Sequence, residues 1–215
     1  MAANTSEEPE RDCPLCPRLK EFRDQNWRNY PDYFNAPVPS FGPADAKLLI
    51  VGLAPGLHGA NRTGRPFTGD YAGDLLYATL LKLGLAKGKY EERIDDGLTL
   101  VGCRIINSVR CVPPQNKPLP VEIATCNRFL KAALDGHRNA KVMLALGAIA
   151  HDAALKALGE KKSAFKFGHG ARHALISGRV LYDSYHCSRY NTNTGVLTPE
   201  MFESAVGAAK QAAGL

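Results

Sequence analysis

The stretch "KLLIVGLAPGLHGANRTGRPFTGD", residues 47–70, decides how the chain folds. Its first eight residues, 47–54, form a short apolar run flanked by loop residues, which predicts a strand buried on both faces. Beyond that run the regular pattern stops. Residues 51–70 hold five glycines, two prolines, two arginines, one histidine and a final aspartate. A loop so long and polar after a buried strand reads as a site rather than as slack. Asp70 stands where an N-cap belongs, ahead of a helix predicted over 70–85 with Leu75, Leu76, Thr79, Leu80 and Leu83 at helical spacing.

The same alternation continues down the chain. Residues 103–109 and 140–147 predict a second and a third strand, and 179–186 a fourth. Between them, 120–134 predicts a helix with Pro120 in its first turn and Ile123, Cys126, Leu130 and Leu134 on one stripe. Another helix begins after residue 147 and ends at Gly159; a last one runs from Pro199 to about Gln211. Strands alternating with helices imply an α/β fold with a mainly parallel four-stranded sheet covered on both faces. In such sheets ligands bind beyond the carboxyl ends of the strands, so the loops at 54–70, 107–119 and 186–198 are expected to converge.

The 215 residues, 45% of them hydrophobic, fit one domain, expected over 13–215 after a flexible acidic stretch at 1–12. No run approaches the ~18 apolar residues of a membrane span, and the polar start "MAANTSEEPERD" lacks the pattern of a secretory signal. A cytoplasmic monomer without membrane contact is the expectation. The net charge is +6, although Glu7, Glu8, Glu10 and Asp12 outnumber Arg11 at the N-terminus. Residues 161–191 set Lys161, Lys162, Lys166, Arg172, Arg179 and Arg189 against Asp183 alone. That is either a surface for polyanions or an ordinary basic face.

Of six cysteines, Cys13 and Cys16 form a C-x2-C pair, while Cys111 and Cys126 are separated by fourteen residues. Disulfides are disfavoured in a cytoplasmic chain. Four cysteines suit a zinc ion or a [4Fe–4S] cluster, and spacing alone does not choose, though the wide second pair leans toward the cluster. Cys126 on its helix stripe and Cys103 inside a strand also read as core.

Four ordered blocks carry a resemblance: "CPLC", "GLAPGLHGANRTGRPFTGD", "INSVRCVPPQNKPLPVEIATC" and "SYHCSRYNTNTGVLT". Together they resemble the iron–sulfur uracil-DNA glycosylases, and family 5 (type b) most. The resemblance implies a three-layer α/β/α fold and a structural [4Fe–4S] cluster on Cys13, Cys16, Cys111 and Cys126. It also implies hydrolysis of the N-glycosidic bond of uracil in DNA, with other deaminated bases such as hypoxanthine and xanthine tolerated.

Excising a base from a duplex means flipping it into a pocket, and each need of that chemistry has a candidate. Phe67 offers a stacking surface and Asn107, at a strand end, an amide that pairs with the base edge. Gly52, Ala54 and Gly56 would line the base. The family pattern sets His186 beside the leaving group. Many related glycosylases carry a carboxylate or amide where this chain has Ala54, which moves the candidate carboxylate to Asp70, with Asn61 as an alternative for orienting water. Arg62, Arg65, Ser188, Arg189 and Asn191 are candidates for gripping DNA. Where the family usually reads "HPS", this chain reads His186-Cys187-Ser188, and Cys187 would be open to oxidation if exposed. Competing readings are a family 4-like enzyme restricted to uracil, a silent DNA-binding protein keeping fold and cluster, and a small zinc-binding structural domain.

Overall fold

The computed structural model describes residues 6–215. Its central sheet has the order β4-β1-β5-β7-β6, made from β1 (Leu48–Gly52), β4 (Cys103–Asn107), β5 (Val142–Leu146), β6 (Arg172–Ala174) and β7 (Val180–Ser184). The four predicted strands are all present and pair in parallel. The count of four is corrected to five. Residues 172–174, inside the basic loop, add an antiparallel edge to β7, too short and too polar to show a strand pattern.

Alternation along the buried strands sorts the core into two layers. Leu48, Ile50, Leu144 and Leu146 pack with Leu76, Tyr77 and Leu80 of α3 (Tyr71–Lys82) and Phe202 and Val206 of α7 (Pro199–Ala212). Leu49, Val51, Met143 and Ala145 face the other way, onto Leu130, Ala133 and Leu134 of α4 (Pro120–Gly136) and Ala150, Ala153 and Ala154 of α5 (Ala148–Ala157). Helices, sheet and helices make the three layers.

Three pieces lie outside the predicted pattern. Helix α1 (Pro17–Asn29) is mostly polar, with few buried residues, and carries little apolar periodicity. A two-stranded hairpin joins β2 (Ala86–Lys87) to β3 (Thr99–Leu100). Short helices α2 (Ala60–Thr63) and α6 (Arg189–Asn193) interrupt the loops. Residues 1–5 of the stretch expected to be flexible lie outside the described residues; beyond them, Glu7 and Glu8 pair with Arg104 and Arg110 on and after the edge strand β4.

Parallel pairing brings the strand exits together. Gly52 lies opposite Asn107, and Leu146 opposite Ser184, two residues before His186. No helix of the described residues is long and apolar enough to cross a membrane.

Candidate active site and cysteine centre

The pairing of Gly52 with Asn107 opens a slot at the strand exits. A Cβ built on Gly52 would strike Asn107 Oδ1 and come within 2.7 Å of the Phe67 ring, so glycine is what keeps these two groups facing the same space. Asn107 is 2% exposed, yet its Oδ1 has no hydrogen-bond partner. A buried amide oxygen left unpaired is costly unless a ligand completes it. The Phe67 backbone is left-handed, at φ +53°, and its ring lies at 29° to the His186 imidazole with centroids 6.0 Å apart. Burial lowers the pKa of His186, keeping the ring neutral near pH 7, and no hydrogen bond holds the imidazole among the described residues.

Asp70 divides its work between two oxygens. Oδ1 accepts the Gly73 N–H at 3.2 Å as the N-cap of α3. Oδ2 points the other way, against the bare backbone of Gly59 and within 3.1 Å of where a Gly56 Cβ would stand. Burial raises the pKa of this carboxyl above its ordinary 3.8, against the lowering effect of the Gly73 N–H. Capping therefore occupies one oxygen and leaves the other without a side-chain or backbone hydrogen bond among the described residues.

Other predicted residues move. Arg65 is corrected: it is 1% exposed and forms a bidentate pair with Asp96 at 2.8 and 2.6 Å, so it cannot meet DNA. Asn61 is fully buried and its amide donates to Asn35 Oδ1 at 2.9 Å, bracing the loop, while its own Oδ1 has no partner among the described residues. Ala54 packs against the cysteine group. Arg62, partly exposed, folds back onto the His58 carbonyl at 2.8 Å. Ser188 caps α6, and Asn191 Nδ2 donates to the His186 carbonyl at 2.8 Å, fixing the backbone of the loop. Arg189 is exposed, over the Tyr71 ring at 5.3 Å. Cys187 is fully buried and donates to the Ala72 carbonyl at 3.4 Å, so the condition for its oxidation, exposure, is not met. Arg179 is withdrawn from the basic face, as it donates to the Leu134 and His137 carbonyls. Lys161, Lys166, Arg172 and Arg189 remain exposed and make no ion pair among the described residues.

Two buried networks lie outside the sequence expectations. One is the Arg65–Asp96 pair. The other is Asp183, fully buried, which accepts from His151 Nδ1 at 2.8 Å, His173 Nε2 at 2.9 Å and the Gly168 N–H at 3.3 Å. His151 Nε2 faces the Phe165 carbonyl at 3.0 Å, so both its nitrogens meet acceptors and the ring is an imidazolium. Burial opposes that charge, but Asp183 outweighs it and the pKa of His151 is raised. The only sequence signal is Asp183 standing as the lone acid of a basic segment.

Cys13, Cys16, Cys111 and Cys126 gather around one apolar recess with Leu19, Val109 and Phe129, where α1 meets the edge strand and α4. All six cysteines are free thiols. Burial pushes Cys16 up to about 11 and Cys126 to about 12, so a bound metal must displace their protons. Arg23 donates to Cys111 Sγ at 2.9 Å and the Arg110 N–H to Cys126 Sγ at 3.4 Å. Four thiols gathered in one recess, with N–H donors aimed at Cys111 and Cys126, make a donor set that a thiolate-bound metal centre would fit.

Residues 39–210 match the family described as the uracil DNA glycosylase superfamily. The chain is 47% identical to a type-5 uracil-DNA glycosylase of Thermus thermophilus, over 94% of both chains. It is 39% identical to a type-5 uracil-DNA glycosylase of Pyrobaculum aerophilum, over 94% of this chain and 89% of that one. Similarity to a type-4 uracil-DNA glycosylase of Thermotoga maritima, at 38%, spans 51% of this chain and 49% of the other.

Proposed function

The chain belongs to the uracil-DNA glycosylase superfamily, with the type-5 enzymes as relatives along nearly its whole length, and from that premise we propose how its residues excise a base. It is a hydrolase acting on DNA, and uracil is the base its relatives are named for. The flipped base stacks on Phe67 and pairs its edge with the Asn107 amide over Gly52. The observation that carries this reading is the unpaired Asn107 Oδ1 beside the Phe67 ring.

The C1′–N bond then breaks and its electron pair goes to the base nitrogen. Neutral His186 donates a hydrogen bond to the base oxygen that takes up this charge; a preorganised donor of this kind contributes roughly 2.7–4 kcal/mol. The cation-like sugar faces Asp70 Oδ2. Water bonds to C1′, and its released proton passes to Asp70, whose desolvated carboxylate is more basic than an exposed one. No covalent enzyme intermediate is needed, and Cys187 takes no part.

Besides His186, the ring edge meets the single Asn107 amide, which offers both a donor and an acceptor, and this supports acceptance of hypoxanthine and xanthine besides uracil. The cluster is [4Fe–4S] on Cys13, Cys16, Cys111 and Cys126, and when bound it fastens α1 to β4 and α4 without entering the reaction. Purified protein is then brown with a broad visible absorption, and a colourless zinc-loaded protein would refute the assignment. Duplexes carrying uracil, hypoxanthine or xanthine, treated with enzyme and then alkali, test the activity. Scission on uracil alone would restrict the range to one base, and scission on none would leave a DNA-binding protein.

A further inference from the structure

We propose that the connection between β2 and β3, through Tyr90 and Asp96, is a positioning clamp that holds Phe67 in the backbone conformation the stacking platform needs. The inference rests on Phe67 being the surface on which the flipped base stacks.

A phenylalanine at φ +53° is strained and persists only where its surroundings determine it. Here the peptides on both sides are gripped by side chains. The Tyr77 hydroxyl donates to the Pro66 carbonyl at 2.5 Å. The Tyr90 hydroxyl donates to the Phe67 carbonyl at 3.3 Å and accepts the Gly69 N–H at 3.2 Å, which uses its one proton and a lone pair. Burial pushes Tyr90 up to about 12, so it stays a hydroxyl. Gly73 leaves room for this contact, because a Cβ there would stand 2.7 Å from the Tyr90 oxygen.

The second grip is ionic. Arg65 Nε donates to Thr68 Oγ1 at 2.8 Å, bracketing Phe67, while its two terminal nitrogens take both oxygens of Asp96. The Asp96 side chain is fully buried and also accepts the Glu91 and Leu98 N–H groups, each at 3.0 Å. The guanidinium lies 5.2–5.8 Å from the rings of Phe41, Tyr77 and Tyr90. A buried ion pair is weak support for stability as such, since apolar residues of the same volume often do as well. What this one does locally is fix a loop whose own sequence, rich in glycine, would not hold its shape.

Tyr90→Phe removes the hydroxyl alone and keeps the ring. The measurements are single-turnover kcat and KM on a uracil duplex, inhibition by free uracil, affinity for undamaged duplex, and thermal midpoint. The expected result is a kcat about tenfold lower and free-uracil inhibition about tenfold weaker, with undamaged-duplex affinity and midpoint nearly unchanged. Asp96→Asn, with Arg65 left partly unpaired, shows the same pattern more strongly, read per folded molecule. Phe67→Leu separates the two claims. If Phe67→Leu loses uracil inhibition and Tyr90→Phe does not, the clamp is overturned and the platform stands. If Phe67→Leu loses neither kcat nor inhibition, the platform fails and the clamp with it.

Discussion

Asp183, fully buried, and Asp70, partly exposed, are carboxylates near the strand exits, and they are furnished in opposite ways. Asp183 receives two imidazole N–H groups and a backbone N–H, so both oxygens are occupied. Asp70 receives one N–H on Oδ1 and turns Oδ2 toward the unsubstituted backbone of Gly56 and Gly59. A saturated carboxylate fastens structure: through Phe165 and Gly168, Asp183 ties the loop before β6 to β7 and α5. A half-satisfied one has an oxygen to offer a cationic sugar and a base strength raised by burial. The two differ in depth, Asp183 fully buried and Asp70 partly exposed, and in the count of donors as well.

Substitution at the site breaks the comparison hardest. Asp70→Ala and His186→Ala each lower single-turnover excision by about 10²–10⁴-fold. Asp70→Ala also loses a helix cap, about 1 kcal/mol of stability, which Asp70→Asn keeps. Unchanged turnover per folded molecule in Asp70→Ala would reduce Asp70 to a cap.

At Asp183 the balance reverses. Asp183→Ala leaves the His151 imidazolium buried without its partner and destabilises the fold by about 3–5 kcal/mol in chemical denaturation. Excision per folded molecule stays within about threefold of the wild type. A rate loss as deep as that of Asp70→Ala would erase the distinction.

The same pair shapes stability against pH. Folded His151 binds its proton more tightly than the unfolded chain does, so its contribution is complete below pH 6.5 and is lost as pH rises through its higher folded value. Thermal midpoints of the wild type therefore fall above pH 6.5, and His151→Phe flattens that segment of the curve. Asp70 acts in the same sense at lower pH: its raised pKa makes the ionised group a small burden on the fold as pH rises above 3.8.

The smallest effect belongs to the exposed rim. Arg189→Ala weakens DNA binding a few-fold and reduces the slope of log affinity against log salt by about one. A slope unchanged by the substitution would remove Arg189 from the phosphate contacts.

Much of the fold is legible in the sequence because parallel strands are buried on both faces and read as apolar runs, as at 47–54 and 140–147. Asp70, Phe67 and His186 stand out mainly through the resemblance to the type-5 family, while Asn107 is marked by its place at a strand exit. Pairing between distant residues escapes such a reading. Nothing local distinguishes Arg65, sealed against Asp96, from Arg62, three positions earlier and partly exposed. Helix α1 has too few buried residues for a stripe, and its packing is set by the cysteine recess. Asn61 has the chemistry of a polar group offered to the site, and only the fold shows Asn35 beside it.

The central claim, that Asp70 Oδ2 is the working carboxylate, is tested most directly by the pH dependence of single-turnover uracil excision in the wild type and in Asp70→Asn. The wild-type rate is expected to rise tenfold per pH unit on the acid side and level off at a midpoint above 3.8, the carboxylate's ordinary value. Asp70→Asn, still capped and folded, is expected to be slow and to lack that limb. The same acid limb surviving in Asp70→Asn would contradict the account.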